Sequence, residues 1–341
     1  MEKYILVARK YLNKKDISLG GAANKAPDDV NKVYMDNGYK PLYININNTS
    51  HTFKKNISIL YQLVKLKSKI NKDSILVFQY PEFSPIIYTV ISIIFNKTQN
   101  VVIIHDINSI RLKGSLNYIE KLGLSSFNHI IVHSKEMEEK LREKINKPIF
   151  YILDYFPYIA IPETKIRHYS LDVCFAGNIY KSTSIIDYFN YIHDLRLMLY
   201  IKLRPTLVLN NKTIHKGLFN PNNIQGIEGS WGLIWDGNSL NECSGYDGEY
   251  TKINAPHKFS LYVIAKLPII VWSKSAIAKI VQEKEIGITI DSLIELEEKL
   301  VSITPERYNL LYSNISNFST EIVNGGNLKK IIKEIESNIL K

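Results

Sequence analysis

Residues Trp231 to Trp272 hold the side chains best placed to do chemistry. The run reads Trp231-Gly-Leu-Ile-Trp235-Asp-Gly-Asn-Ser239, a Gly-rich polar stretch to Tyr250, then Asn254-Ala-Pro-His-Lys-Phe-Ser-Leu-Tyr262 and Leu267-Pro-Ile-Ile-Val-Trp272. This pattern predicts a buried strand, an irregular loop of about twenty residues, a helix opened by Pro256 and a second buried strand; loops that long inside a compact domain are usually functional or disordered. Lys258, beside His257, falls in the first turn of the helix. A cation there faces the positive end of the macrodipole, which costs about 0.3 kcal/mol or more unless an anion offsets it. A phosphate would meet the backbone N–H groups of the helix start and the lysine together. The segment therefore reads as a phosphate-binding site.

Three other groupings carry chemical potential. Gly177-Asn178-Ile-Tyr-Lys181 follows an apolar run, so Gly177 would admit a close backbone approach and Lys181 could reach a phosphate. His105-Asp106 directly follows Val101–Ile104, and polar residues at a strand's carboxyl end face the ligand crevice of an open α/β sheet. Either side chain could act as a general base, and a helix-capping role for Asp106 is the structural alternative. Ser18-Leu-Gly-Gly-Ala-Ala-Asn24 leads towards a helix near Pro27, and Gly20 and Gly21 there suit either a substrate loop or a plain flexible one. The dinucleotide fingerprint Gly-x-Gly-x-x-Gly is missing after the first strand, which disfavours a nicotinamide dehydrogenase.

The elements that must position these groups are legible as alternating patterns. Strands are expected at Tyr4–Ala8, Pro41–Ile44, Ile75–Phe78, Val101–Ile104, Ile130–Val132 and Phe150–Leu153. A second set is expected at Val173–Phe175, Leu197–Lys202, Leu207–Leu209, Leu233–Trp235, Ile269–Val271 and Ile286–Ile290. Helical segments separate most of them, which implies parallel, doubly wound sheets. The connector Pro157-Tyr-Ile-Ala-Ile-Pro162 divides two α/β domains, taken as 1–160 and 161–318. The last segment, 319–341, reads as an amphipathic helix with Ile322, Leu328, Ile331, Ile332, Ile335 and Ile339 near one stripe.

Composition narrows the class. The 341 residues are 45% hydrophobic and 22% charged, as in a globular chain with room for two cores. Cys174 and Cys243 make no disulfide framework or metal spacing, which fits a reducing cytoplasm. The N-terminus lacks a signal-peptide pattern, and Pro85 to Phe95 is too short to span a bilayer. The net charge of +10 favours anionic partners. Lysines are dispersed, with modest clusters such as Lys65-Leu-Lys-Ser-Lys69, and no nucleic-acid-binding signature accompanies them. Contact with acidic phospholipid fits better than a nucleic acid partner.

Gly232-Leu-Ile-Trp-Asp-Gly-Asn-Ser239, Cys243-Ser-Gly245, Gly248-Glu-Tyr250 and Asn254-Ala-Pro-His-Lys-Phe-Ser-Leu-Tyr262 together resemble bacterial β-1,6-galactofuranosyltransferases of surface-polysaccharide assembly. A more distant similarity is to the glucosyltransferases that extend GlcNAc on serine-rich adhesins. The resemblance is dense over roughly residues 171–290. In the first 160 it rests on Val77-Phe-Gln-Tyr-Pro81, Ile104-His-Asp106 and Val132-His-Ser134.

The resemblance implies an α/β fold of the GT-B type: two Rossmann-like domains facing a cleft, with the C-terminal helix crossing back to the first. It implies a cytoplasmic inverting glycosyltransferase that moves galactofuranose from a UDP-sugar to a glycan acceptor, lipid-linked, in O-antigen or capsule polysaccharide assembly. Asp106 or His105 would be catalytic. Gly177, Asn178, Lys181, Phe219, Asp236, Glu249, Tyr250, His257, Lys258 and Ser260 would hold the nucleotide-sugar, with Phe219 near the uracil or else a core aromatic, and Glu249 on sugar or ribose hydroxyls or carrying Tyr250 into place. Asp247-Gly-Glu249 looks superficially like a metal motif, but in this architecture lysines and a helix start neutralise the diphosphate, so no metal and no cofactor are expected. Homo-oligomers and peripheral contact with the inner membrane face are further expectations. The rival readings are a glucosyltransferase acting on a GlcNAc-modified adhesin and, in another class, a non-catalytic partner subunit of the same fold.

Overall fold

The computed structural model describes residues 1–10, 22–46, 52–203 and 207–340. Gly20 and Gly21 lie outside the described residues. The chain divides into two compact units, Met1–Leu153 with Asn327–Lys341, and Asp154–Gly326.

The first unit is built on strands β1 (Lys3–Lys10), β2 (Lys40–Ile46), β3 (Ile75–Tyr80), β4 (Gln99–Ile104), β5 (His129–Val132) and β6 (Ile149–Ile152). They form one parallel sheet in the order β2-β1-β3-β4-β5-β6. Every position of β3 and β5 is buried, as expected of strands covered on both faces. The connecting helices are α1 (Ala22–Asp36), α2 (Thr52–Lys67), α3 (Pro85–Ile94), α4 (Asn108–Lys113), α5 (Tyr118–Ser125) and α6 (Lys135–Arg142). The start of α1 corrects the expectation of a helix beginning near Pro27: the helix opens at Ala22 and holds Pro27 inside it. The Pro27 carbonyl accepts a hydrogen bond from the Gln79 side chain. Helix α6 follows its sequence signals, with the Ser134 hydroxyl accepting from the Met137 N–H, acids in the first turn and bases in the last.

The second unit repeats the plan with β7 (Asp172–Ala176), β8 (Arg196–Tyr200), β9 (Thr213–His215), β10 (Trp231–Ile234), β11 (Ile269–Trp272) and β12 (Gly287–Ile290). The order is β12-β11-β10-β7-β8-β9, again all parallel. Its helices are α7 (Ser184–Tyr191), α8 (Gly245–Tyr250), α9 (His257–Ile264), α10 (Ala278–Glu283), α11 (Leu296–Val301) and α12 (Pro305–Val323). Two expectations are corrected here. Leu207–Leu209 is not a strand: its leucines pack against the core from a loop, and β9 pairs with β8 in its place. The polar stretch after Asp236 is not irregular throughout, because Gly245–Tyr250 winds into α8.

The expected single terminal helix is two. Helix α12 runs to Val323, and α13 (Gly326–Leu340) begins after a break at Asn324-Gly325, where Gly325 takes a φ of 82°. Helix α13 belongs to the first unit, with Lys3 paired to Glu336 at 3.0 Å and the Asn327 side chain donating to the Leu153 carbonyl at 2.7 Å.

One contact fixes α9 on its sheet. The Tyr262 hydroxyl accepts from the Ala176 N–H at 2.9 Å and donates to the Leu233 carbonyl at 3.2 Å, tying the ends of β7 and β10 together from below. Its ring fills the space over Gly232, where a Cβ would meet ring and Cβ atoms of Tyr262 at 2.5–2.9 Å. Burial pushes this phenol's pKa well above its ordinary value, so it remains a donor. Gly232→Ala should therefore lower the stability of the second unit by about 1–3 kcal/mol, the usual cost of overpacking. All three tryptophans, Trp231, Trp235 and Trp272, lie in that unit, so urea unfolding followed by their fluorescence reads it directly. An unchanged midpoint would contradict this packing account.

Candidate functional site

The second unit gathers a charged corner at the carboxyl ends of β7 and β10. Lys258 Nζ donates to Asp236 Oδ1 at 2.9 Å, the two side chains being 16% and 15% exposed. Its ammonium lies 4.7 Å from the centre of the Phe175 ring. Its stem runs across Gly177, where a Cβ would come 3.1 Å from the Lys258 Cδ. Glycine at 177 thus leaves the strand end open for the lysine. Helix α9 follows Pro256 at its N-cap position with no side-chain cap and no acid in its first turn, so Asp236 supplies the anion that a first-turn cation calls for. His257 stacks on Tyr158, ring centres 4.6 Å apart, with Phe156 edge-on.

Lys181 continues the corner. Its Nζ donates to Asp247 Oδ1 at 2.6 Å, and its carbonyl accepts from the Gly237 N–H at 2.9 Å. The Ser182 hydroxyl donates to the Trp235 carbonyl at 2.8 Å, and Ser184 donates to the Gly237 carbonyl at 3.0 Å. Gly237 and Gly248 let the intervening loop fold tightly: a Cβ on either would sit within 2.7 Å of the Ser244 or Cys243 backbone. Gly177, Lys181, Asp236, Asp247 and Lys258 are therefore one constellation, in which each lysine is matched to a carboxylate.

Other expected donor-site residues are placed differently. Ser260 is buried and donates to the Phe156 carbonyl at 2.6 Å, so its hydroxyl holds the connector and is not presented to a ligand. Glu249 is an exposed side chain paired to Lys252 at 2.7 Å, turned from the Lys181–Asp247 side by its place on α8. Tyr250, the last residue of the same helix, is buried. Asn178 uses its side-chain oxygen on the Tyr180 N–H. Phe219 lies edge-on to Tyr200, ring centres 6.0 Å apart, at the carboxyl end of β8, the strand beside β7. Sequence reasoning missed Tyr262, Phe175 and Asp247 as the parts that seat the lysines. The signal for Tyr262 was a glycine inside a strand, which marks close approach by another group.

In the first unit, His105 and Asp106 stand at the carboxyl end of β4. Asp106 Oδ2 accepts from Nη1 of Arg111 on α4 at 2.6 Å, an ion pair. His105 Nε2 lies 2.7 Å from Gln79 Oε1. The tautomer follows from the far end of the amide. Gln79 Nε2 faces Asn31 Oδ1 at 2.8 Å and the Pro27 carbonyl at 3.3 Å, and a carbonyl can only accept. Gln79 therefore turns its oxygen to His105, and Nε2 carries the proton. Below this pair His133 donates from Nε2 to the Ile104 carbonyl at 2.9 Å, and burial pushes its pKa down to about 4, so it stays neutral. Among the described residues no cluster of three or more His, Cys, Asp or Glu could hold a metal ion.

Two such parallel-sheet units match known folds. TarM superposes with a TM-score of 0.53 at 11% identity, over 81% of this chain and 58% of TarM; the chain spans less than two thirds of that structure, and the likeness is one of fold. The β-1,6-galactofuranosyltransferase WbbI of Escherichia coli (strain K12) is 28% identical over 277 residues, 78% of this chain and 79% of WbbI. Glucosyltransferase 3 of Streptococcus gordonii is 27% identical over 113 residues, 33% of each chain. Fold, site and relatives define a glycosyltransferase of the GT-B type that uses a nucleotide-sugar donor. The glucosyltransferase 3-like family matches in both of its domains, the N-terminal over residues 9–152 and the C-terminal over 173–335, and the chain belongs to that family.

The His105 geometry makes a direct prediction. Ring-nitrogen NMR should find His105 as the Nε2–H tautomer in the neutral state. Gln79→Leu removes its acceptor and should leave a mixture of tautomers with the fold intact. A pure Nδ1–H form in the wild-type protein would contradict the relay.

Proposed function

We propose that this chain transfers galactofuranose from UDP-galactofuranose to a hydroxyl of a lipid-linked glycan, with inversion and without a metal. The relation to WbbI supports the sugar, and the Lys258–Asp236 pair over Gly177 is the observation that carries the mechanism. In this reading the acceptor oxygen attacks the anomeric carbon as the bond to the diphosphate breaks. The hydroxyl proton passes to a general base, for which His105 and Asp106 at the end of β4 are the candidates. Charge growing on the departing UDP meets the Lys258 ammonium and the first-turn amides of α9, with Lys181 beside them. An ammonium has three donors, and Asp236 engages one while holding the side chain in place. Such fixed donors stabilise the transition state with little reorganisation.

A second reading is glucosyl transfer to a GlcNAc-bearing acceptor, favoured by the match to both glucosyltransferase 3-like domains. A donor screen with purified protein separates the readings: release of UDP from UDP-galactofuranose supports the first, and from UDP-glucose with a GlcNAc acceptor the second. No release from either would leave a non-catalytic partner subunit. With the active donor, Lys258→Ala should cut turnover by about 10²–10³, roughly 2.7–4 kcal/mol. Chelation by EDTA should leave the rate unchanged. Near-normal turnover in the Ala variant would sink the mechanism.

A further inference from the structure

Helix α2 carries two apolar faces where packing needs one. Ile59 and Leu63 are buried within the first unit. Around the helix from them, Phe53, Ile57, Tyr61 and Val64 are 77%, 51%, 71% and 58% exposed. At about 100° per residue these four share one stripe roughly 80° wide. Beside it, α3 has no charged residue and exposes Ile86 and Ile93, with Ser84 at its start donating to Asn56 of α2 at 3.0 Å. A contiguous row of large apolar side chains in water marks an interaction surface.

The charges around the stripe say what covers it. From Thr52 to Lys72 there are six lysines and no Asp or Glu, and Lys54, Lys65, Lys67, Lys69 and Lys72 are exposed. A second copy laid on this face would bring the two lysine sets together, since a two-fold interface pairs a patch with itself. An anionic bilayer surface instead accepts Phe, Ile and Tyr at the level of the acyl boundary and lysines among the headgroups. No helix among the described residues is long and apolar enough to cross a membrane, so the contact would lie on the surface.

We propose that α2 is a docking helix for anionic membrane, lying flat with Phe53, Ile57, Tyr61 and Val64 inserted and the flanking lysines on lipid phosphates. This stands independently of the glycosyl-transfer reading, because lipid binding is measured without turnover. The test is co-sedimentation of the full chain with phosphatidylcholine vesicles with or without phosphatidylglycerol, at low and high salt. Expected is binding that needs the anionic lipid, weakens with salt, and falls roughly tenfold or more in Phe53→Ser/Tyr61→Ser. The exposed charge reversals Lys65→Glu/Lys67→Glu should weaken it comparably with circular dichroism unchanged, which keeps the test valid if the first pair unfolds. Absence of binding to anionic vesicles, or binding equal in wild type and the charge-reversal variant, would overturn the proposal. So would light scattering showing that the substitutions split an oligomer in the absence of lipid, which would make this face a contact between copies.

Discussion

The seating of one tyrosine ring over one glycine governs the second unit's chemistry. Tyr262 reaches up from α9 to bond both Ala176 and Leu233, and only a residue without a side chain at 232 leaves room for it. That contact sets the height and direction of α9 against β7 and β10. Because Lys258 is one turn back along the same helix, its stem then crosses Gly177 and its ammonium reaches Asp236. Gly177 and Asp236 lie just past the ends of the same two strands that Tyr262 joins. A displacement of α9 by an ångström would separate lysine, carboxylate and glycine together, and positioning errors of that size are costly in catalysis.

Both lysines of the corner rest on acids. Lys258 with Asp236 and Lys181 with Asp247 are part-buried pairs, so neither cation stands desolvated without compensation. The arrangement keeps two positive side chains ordered near a helix start that already favours anions. In the first unit the same economy appears in another form: His105 is oriented by Gln79, Gln79 by Asn31 and a proline carbonyl, and Asp106 by Arg111.

Much of the fold was legible because parallel strands covered on both faces read as short continuous apolar runs, as Ile75–Tyr80 and Ile269–Trp272 do. The missed strand, Thr213–His215, is a three-residue edge strand with a polar start, while Leu207–Leu209 offered the stronger apolar run and packs from a loop. The start of α1 was misread because proline usually marks a helix opening, and here its carbonyl is used laterally by Gln79. In the candidate site, Lys258 stood out by its place in the first turn of a helix and Lys181 by its place after a strand, whereas Asp236 came only with the family resemblance. The directions of Ser260 and Glu249 were not legible, because a helical residue's direction depends on packing: one turns inward to Phe156, the other outward to Lys252. The pairing of each lysine with a particular acid across 22 and 66 residues of chain leaves no local pattern to read.

The most direct measurement is a crystal structure of the protein with UDP bound. The account requires the diphosphate oxygens to lie within hydrogen-bond distance of Lys258 Nζ and of the His257 and Lys258 amides, with Gly177 lining their approach. A diphosphate seated elsewhere, for instance on Arg111 with Lys258 still held only by Asp236, would contradict it.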